Sequence, residues 1–385
     1  MKSWKLQGDI FQKKDLKEIS RFILKSKKFT QGHKVDEFED KFSKWNNSKF
    51  SLFVNSGSSA DFLIVNTAKE LFGWKDGDEI IVPSLTWPTQ ISSVTQNGLK
   101  PIFIDCNLED LSLNYQTIEQ NITKKTKAIF LAHIMGFPSN IKKIKKIIKK
   151  YNIKILEDCC ESIGARYPNK VGNLGVAGSF SFFWGHHMTT IEGGMITTNN
   201  YTFYKLCKLK RAHGLAREMG KDELNKISKK YPDIDKKYLF LTNGFNFRNT
   251  EINAMIGINQ LKKLNSYIKI RNNNFSFFKK LLEPISNKVK TVNFRKLKEI
   301  SSFAFPIFFE KKYLLDKFKK KLATKNIEYR PIISGNILRQ PFLNVKKKMY
   351  NSDFVHNNGV YIGNNQFVTK KNDTKFNQTF KRSII

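Results

Sequence analysis

Cysteine is scarce in this 385-residue chain, and Cys106, Cys159, Cys160 and Cys207 have no framework spacing. The adjacent Cys159 and Cys160 are poorly placed to bridge each other, so a disulfide scaffold is excluded and a reduced, cytoplasmic setting is expected. Long apolar runs are also missing. No stretch approaches the roughly 18 consecutive apolar residues of a membrane span. The N-terminal MKSWKLQGDIFQKKDLKEI has no apolar run of signal-peptide length, so neither a span nor an export signal is expected. There is no G-x-G-x-x-G and no P-loop, which removes the usual dinucleotide and nucleotide phosphate cradles. No metal site is expected.

Acidic residues are few. Thirty-three Asp and Glu stand against 68 Lys and Arg, giving a formal net charge of +35. Such an excess invites a nucleic-acid reading, since clustered cations displace counterions from phosphate backbones. Here the lysines are spread along the whole chain, and Lys, Asn, Ile and Phe are abundant together, so the excess is read as compositional bias. No nucleic-acid partner is expected, although the field favours a small anionic ligand.

The 40 % hydrophobic content is enough for a substantial core. Short apolar strands are predicted at Phe50–Val54, Glu79–Pro83, Lys100–Cys106, Thr126–Leu131 and Ile153–Asp158. They alternate with helical patterns at 62–72 and 141–150, which predicts an α/β fold with a mainly parallel sheet. Leu16, Ile19 and Ile23, then Val35, Phe38, Phe42 and Trp45, mark two amphipathic helices expected to pack on the core. Glu251–Leu264 reads as a helix whose apolar stripe fills only its first half, with Asn259 and Lys263 continuing the same face. Alternation at Phe303, Phe305, Ile307 and Phe309 predicts a strand of a second, antiparallel α+β unit.

Gly178–Thr198, GSFSFFWGHHMTTIEGGMITT, carries the sharpest signal. Two strand-like runs flank a polar, Gly-bearing loop, which places the loop at a sheet edge where ligands bind in open α/β folds. No lysine lies between Ser179 and Gly194, whereas His186 and His187 do. An imidazole moves protons near neutral pH. Elsewhere, Asn55-Ser56-Gly57-Ser58-Ser59 joins a strand to a helix, a geometry that suits an anion. Asp158 follows a buried strand and needs a partner for its charge.

In this order and spacing the residues resemble the DegT/DnrJ/EryC1/StrS sugar aminotransferase family, a branch of the fold-type I pyridoxal-phosphate enzymes. Its members read FSFYPTKN where this chain has Phe180-Ser181-Phe182-Phe183-Trp184-Gly185-His186. The family lysine that binds the cofactor covalently is thus replaced by His186, as in a small subset of sugar 3-dehydratases. The resemblance implies an aspartate-aminotransferase-like fold, with residues 1–255 as a large cofactor-binding domain and 256–385 as a small α+β domain. The N-terminal helix is left free to pack on the latter.

It also implies site roles. Gly57, Ser58, Ser59 and Ser181 would bind the phosphate of pyridoxal or pyridoxamine phosphate, Trp87 would stack on the ring, and Asp158 would face the pyridine nitrogen. Glu161 stands where the family has Gln and would touch the ring or the sugar. Glu192-Gly193-Gly194 resembles the family's (E/D)GG turn. Asn246, in a segment like the family's GYNYRM, would reach the cofactor phosphate of a neighbouring subunit, making the protein a homodimer with shared sites. His213, Arg248 and Arg330 are candidates for the substrate side, with Arg330 able to hold a carboxylate or diphosphate.

The implied reaction removes the C3 hydroxyl of a nucleotide-linked 4-keto-6-deoxy sugar, with GDP-4-keto-6-deoxy-D-mannose the first expectation and glutamate regenerating the amine cofactor. His186 is the expected base and His187 its competitor. A dehydratase acting on a CDP-sugar is an alternative, although the iron–sulfur type with its C-x-C element does not match these cysteines. A nucleotide-sugar aminotransferase and a non-catalytic sugar-binding protein of the same fold also stay open.

Overall fold

A computed structural model describes residues 4–8, 10–294 and 299–368. Helices α1 (Lys13–Lys25) and α2 (His33–Asn46) lead into β1 (Phe50–Val54) and α3 (Gly57–Leu71). Then come β2 (Glu79–Pro83), α4 (Pro88–Thr95), β3 (Lys100–Ile104), β4 (Thr126–Ala132), α5 (Ile141–Ile148), β5 (Lys154–Asp158), β6 (Ala177–Ser181) and β7 (Gly194–Thr198). These strands form one seven-stranded sheet ordered β1-β7-β6-β5-β4-β2-β3. β6, β5, β4, β2 and β3 run parallel, and β7 is antiparallel to both its neighbours. Both faces are covered, as parallel strands require. Phe38, Phe42, Phe180 and Phe182 lie in the core on one side, and Leu63, Ile64, Phe130 and Phe203 in the core on the other.

Helices α6 (Tyr201–Arg211) and α7 (Lys221–Ser228) follow, then α8 (Glu251–Leu282). At 32 residues α8 is more than twice as long as the sequence pattern indicated, and it runs through positions 255 and 256 without a break. Beyond it, β8 (Val289–Lys290), β9 (Ala304–Phe309), α9 (Lys312–Thr324), β10 (Tyr329–Arg330), α10 (Tyr350–Asn358) and β11 (Gly359–Gly363) make a smaller unit. Its sheet is antiparallel, ordered β10-β11-β9-β8. All six residues of β9 are buried, since it is an inner strand covered on both faces. No helix among the described residues is long and apolar enough to cross a membrane.

One expectation is corrected. α2 packs inward through Val35, Phe38 and Phe42, but α1 does not bury its apolar stripe: Leu16 is 52 % and Ile23 41 % exposed. Instead its polar face docks on α8. Lys263 Nζ donates to both oxygens of Asp15 at 2.7 and 2.8 Å, and Asn259 Nδ2 to Glu18 at 2.7 Å. Asn259 and Lys263, which interrupt the apolar stripe of α8, are thus the docking residues.

Residues 4–8 form a strap across both units. Trp4 is buried with its Nε1 donating to Gly363 O at 3.0 Å. Gln7 Nε2 reaches back to His186 O at 3.1 Å.

Candidate active site

The carboxyl ends of β1, β2, β4, β5 and β6 point to one edge of the large sheet, and the segments that follow them line a cavity of about 550 Å³. Ligands bind at such an edge because every strand delivers a loop there. The small unit closes it with Phe303, Arg330 and Tyr361, and the strap adds Leu6 and Gln7.

From β1, Ser56 caps α3 by accepting from Ser59 N at 3.0 Å. Gly57 and Ser58, the first two residues of the helix, line the cavity. Their amides belong to the first turn, which has no intrahelical acceptors. A Cβ at Gly57 would meet Ser181 Cβ at 2.6 Å, so only glycine lets this turn approach the end of β6. Ser181 lines the cavity and Ser59 does not; the Ser59 hydroxyl lies 2.9 Å from Ser56 Oγ.

From β2, Trp87 precedes α4 and lines the cavity, 58 % exposed, so its ring is available to a ligand and is not part of the core. From β4 comes His133, whose Nδ1 accepts from Ser139 N at 3.0 Å, leaving Nε2–H to donate to Glu157 Oε2 at 3.0 Å. Glu157 is wholly buried and also receives the N–H groups of Gly172, Leu174 and Gly175 at 2.7–2.9 Å. This charge-assisted set locks the floor beneath β4 and β5.

At the end of β5, Asp158 is 8 % exposed and its Oδ1 accepts from Cys160 N at 3.0 Å. Burial raises its pKa above the usual carboxylate value in spite of that N–H. Glu161 accepts from Met135 N at 2.9 Å and is pushed up to about 8, by burial first and then by the charge of Asp158. At neutral pH it is a neutral acid. Tyr361 beside it is pushed up to about 12 by burial and by Glu161.

The loop after β6 presents Phe183, Trp184, Gly185 and His186 to the cavity. His186 packs against Phe303, with ring centroids 5.4 Å apart, and its Nδ1 is buried without a partner. Burial, then the positive charge of Arg271, holds it down to about 4, so the imidazole is neutral across the physiological range. His187 points elsewhere. It is fully buried, with Nε2 2.9 Å from Ser301 O and 3.1 Å from Ser301 Oγ, and it is absent from the lining. Arg271, buried on α8, ties that helix to the small unit by donating to Phe303 O at 2.9 Å and Asn364 O at 2.6 Å. It also donates to Gln7 Oε1 at 3.3 Å. No lysine is among the residues lining the cavity.

Arg330 lines the cavity from β10. Asn246, His213 and Arg248 form a separate group outside it: Arg248 Nε donates to Asn246 Oδ1 at 3.1 Å, and its Nη2 lies 3.3 Å from His213 Nε2. Sequence reasoning missed Leu6, Gln7, His133, Tyr361 and Asp61. Asp61 left a trace, as a lone acid just ahead of the apolar run of α3. Gln7 left none, because its place depends on a fold closure over the full chain.

The model of the DegT/DnrJ/EryC1/StrS aminotransferase family matches residues 11–366. GDP-4-keto-6-deoxy-D-mannose 3-dehydratase of Yersinia pseudotuberculosis is 34 % identical over 381 residues, covering 95 % of each chain. The solved structure of the Escherichia coli GDP-4-keto-6-deoxy-D-mannose-3-dehydratase with bound hydrated PLP superposes with a TM-score of 0.91 at 31 % identity, over 98 % of this chain and 99 % of that one. A His-to-Asn variant of GDP-4-keto-6-deoxymannose-3-dehydratase with bound GDP-perosamine gives 0.89 at 30 % identity, with the same coverage. A cavity at the carboxyl edge of a mostly parallel sheet, lined by His186 and Asp158 and matched over nearly the whole chain, therefore has its relatives: the protein belongs to the DegT/DnrJ/EryC1/StrS aminotransferase family.

Proposed function

We propose that the protein is a pyridoxal- or pyridoxamine-phosphate-dependent 3-dehydratase acting on a nucleotide-linked 4-keto-6-deoxy sugar, with GDP-4-keto-6-deoxy-D-mannose the preferred substrate. The observation that carries this is a neutral histidine, and no lysine, facing a cavity that also holds a buried aspartate. A lysine could hold the cofactor covalently, whereas a histidine cannot and is left to move protons.

The residues present fit the cofactor. The close approach of Gly57 to Ser181 leaves a backbone cradle that a side chain would fill, suited with Ser58 to a phosphate. Trp87 offers an exposed ring to stack on the pyridine, and Asp158 a buried carboxyl for its nitrogen. When bound, the cofactor supplies an electron sink for the elimination. Asp158 would then hold the ring nitrogen in its protonated form, Glu161 would present a neutral acid, and His186 would accept the proton whose removal starts the loss of the C3 hydroxyl. Arg330 faces the same space and suits a diphosphate or a carboxylate.

The working form in this reading is a cytoplasmic homodimer. Asn246 and His213 are exposed, and with Arg248 they lie outside their own cavity, which fits a group that completes the neighbour's site. Glutamate restores the amine form of the cofactor.

The test is incubation of the purified protein with pyridoxamine phosphate, glutamate and GDP-4-keto-6-deoxymannose, followed by an ammonia assay and mass analysis of the sugar. Replacement of the C3 hydroxyl by hydrogen is expected, giving a keto sugar lighter by one oxygen, with ammonia released and the two electrons supplied by glutamate as it becomes 2-oxoglutarate. A 4-amino sugar would overturn the dehydratase in favour of an aminotransferase, and dehydration of a CDP-sugar alone would overturn the GDP preference.

A further inference from the structure

Asp61 has no part in that account, yet it lines the cavity while only 1 % exposed. It stands one turn into α3, where Thr89 Oγ1 of α4 donates to its Oδ2 at 3.4 Å. Its Oδ1 lies 2.5 Å from Ser179 Oγ of β6, which is also 3.3 Å from Glu157 O. A carboxylate oxygen of Asp61, one of Asp158 and Cys160 Sγ all lie within 4.8 Å of one another. The titratable groups around the pair are the thiols of Cys159 and Cys160, with His133 and Glu161 interacting with Asp158; among the described residues Asp61 makes no ion pair.

Two buried carboxyls this close, neither ion-paired to a side chain among the described residues, cannot both ionise without large cost; like-charge pairs resolve this by keeping a proton. Asp158 is the better anion, because the Cys160 N–H points at it. Asp61 is served by hydroxyls alone.

We propose that Asp61 and Asp158 carry one proton between them, held on Asp61, so that the pair has the single negative charge that a protonated pyridine ring neutralises. Asp61 is then a positioning residue that acts through Asp158. The link to the ring rests on the cofactor reading above; the shared proton belongs to the two acids and is measurable without cofactor.

Burial, and secondly the charge of Asp158, raise Asp61 well above its unfolded value. A carboxyl so raised costs nothing below its unfolded pKa, about 3.9, and costs progressively more as pH rises toward its folded pKa. Asp61 should therefore take a growing amount of stability from the cofactor-free protein from about pH 4 upward, and Asp61→Asn should remove that contribution. Melting temperatures from pH 4 to 9 read this directly. The Asp61→Asn curve should meet the wild-type curve near pH 4 and rise above it with increasing pH. Asp158→Asn, which leaves Asp61 buried but takes away its charged neighbour, should reduce the same dependence without abolishing it, and the gain of the double variant should fall short of the sum of the single gains. Parallel wild-type and Asp61→Asn curves, or full additivity in the double variant, would overturn the shared proton.

Calorimetric titration with pyridoxal phosphate tests the second half. Because an amide mimics a protonated acid, Asp61→Asn should bind within about threefold of wild type near pH 7. A loss of tenfold or more at every pH would overturn the positioning role. Absence of binding by all the proteins would overturn the cofactor reading and the role with it, while the melting curves still decide the shared proton.

Discussion

At the scale of single residues, the cavity holds its charge in unusual places. Glu161 is pushed up to about 8 and His186 down to about 4, so the acid is protonated and the base is free over the same range. Between about pH 4.5 and 6.5 that is the inverse of their solution behaviour, and at neutral pH it leaves a proton donor beside a free base. The His186→Asn variant should lose activity by about a thousandfold or more while still binding pyridoxal phosphate, as absorbance and turnover assays would show. Turnover should fall above about pH 8 as Glu161 ionises beside Asp158, and below about pH 4 as His186 gains its proton. In Glu161→Gln the alkaline fall should disappear, because the amide has no proton to lose; a pH–rate profile of the two proteins checks it. A fall that persists unchanged would assign the limb to another group.

At the scale of elements, the strand–turn–helix after β1 is the most exacting piece. Gly57→Ala forces its new methyl against Ser181 and should weaken pyridoxal phosphate binding at least tenfold with little change in far-UV circular dichroism. Equal affinity would mean the turn can relax. Asp15 caps α1 by accepting from Gln12 N at 2.9 Å and pairs with Lys263. Asp15→Ala should therefore cost about 1–2 kcal/mol in urea unfolding. These elements differ in how far the sequence announced them. β2 was legible from Glu79 to Pro83 because both its faces are buried and an unbroken apolar run has no other use. The turn at Gly57 and the loop at His186 were legible because special backbone and side-chain chemistry leave local marks. The direction of α1 was not, since an apolar stripe does not say whether this chain or another surface covers it. The length of α8 was hidden for a related reason. After Leu264 its buried face passes from Tyr267 through Arg271 to Phe275, and a buried arginine bonded to carbonyls of distant segments reads as surface.

At the scale of the whole molecule, the excess of basic residues gives a field that should draw an anionic sugar nucleotide. Raising ionic strength from about 0.01 to 0.1 M shortens the screening length from about 30 to 10 Å. KM should rise with salt while kcat stays level, and a salt-independent KM would show that the charge plays no part in capture. The contact between Trp4 and Gly363 has a consequence in time. It joins residues 359 positions apart and seats the strap that brings Gln7 to the His186 loop. During synthesis at about 5–20 residues per second, the strap leaves the ribosome roughly 20–70 s before the strand that receives it. The strap is thus made long before it can find its place, and a nascent chain stalled short of β11 would carry the whole large sheet yet an unfinished cavity.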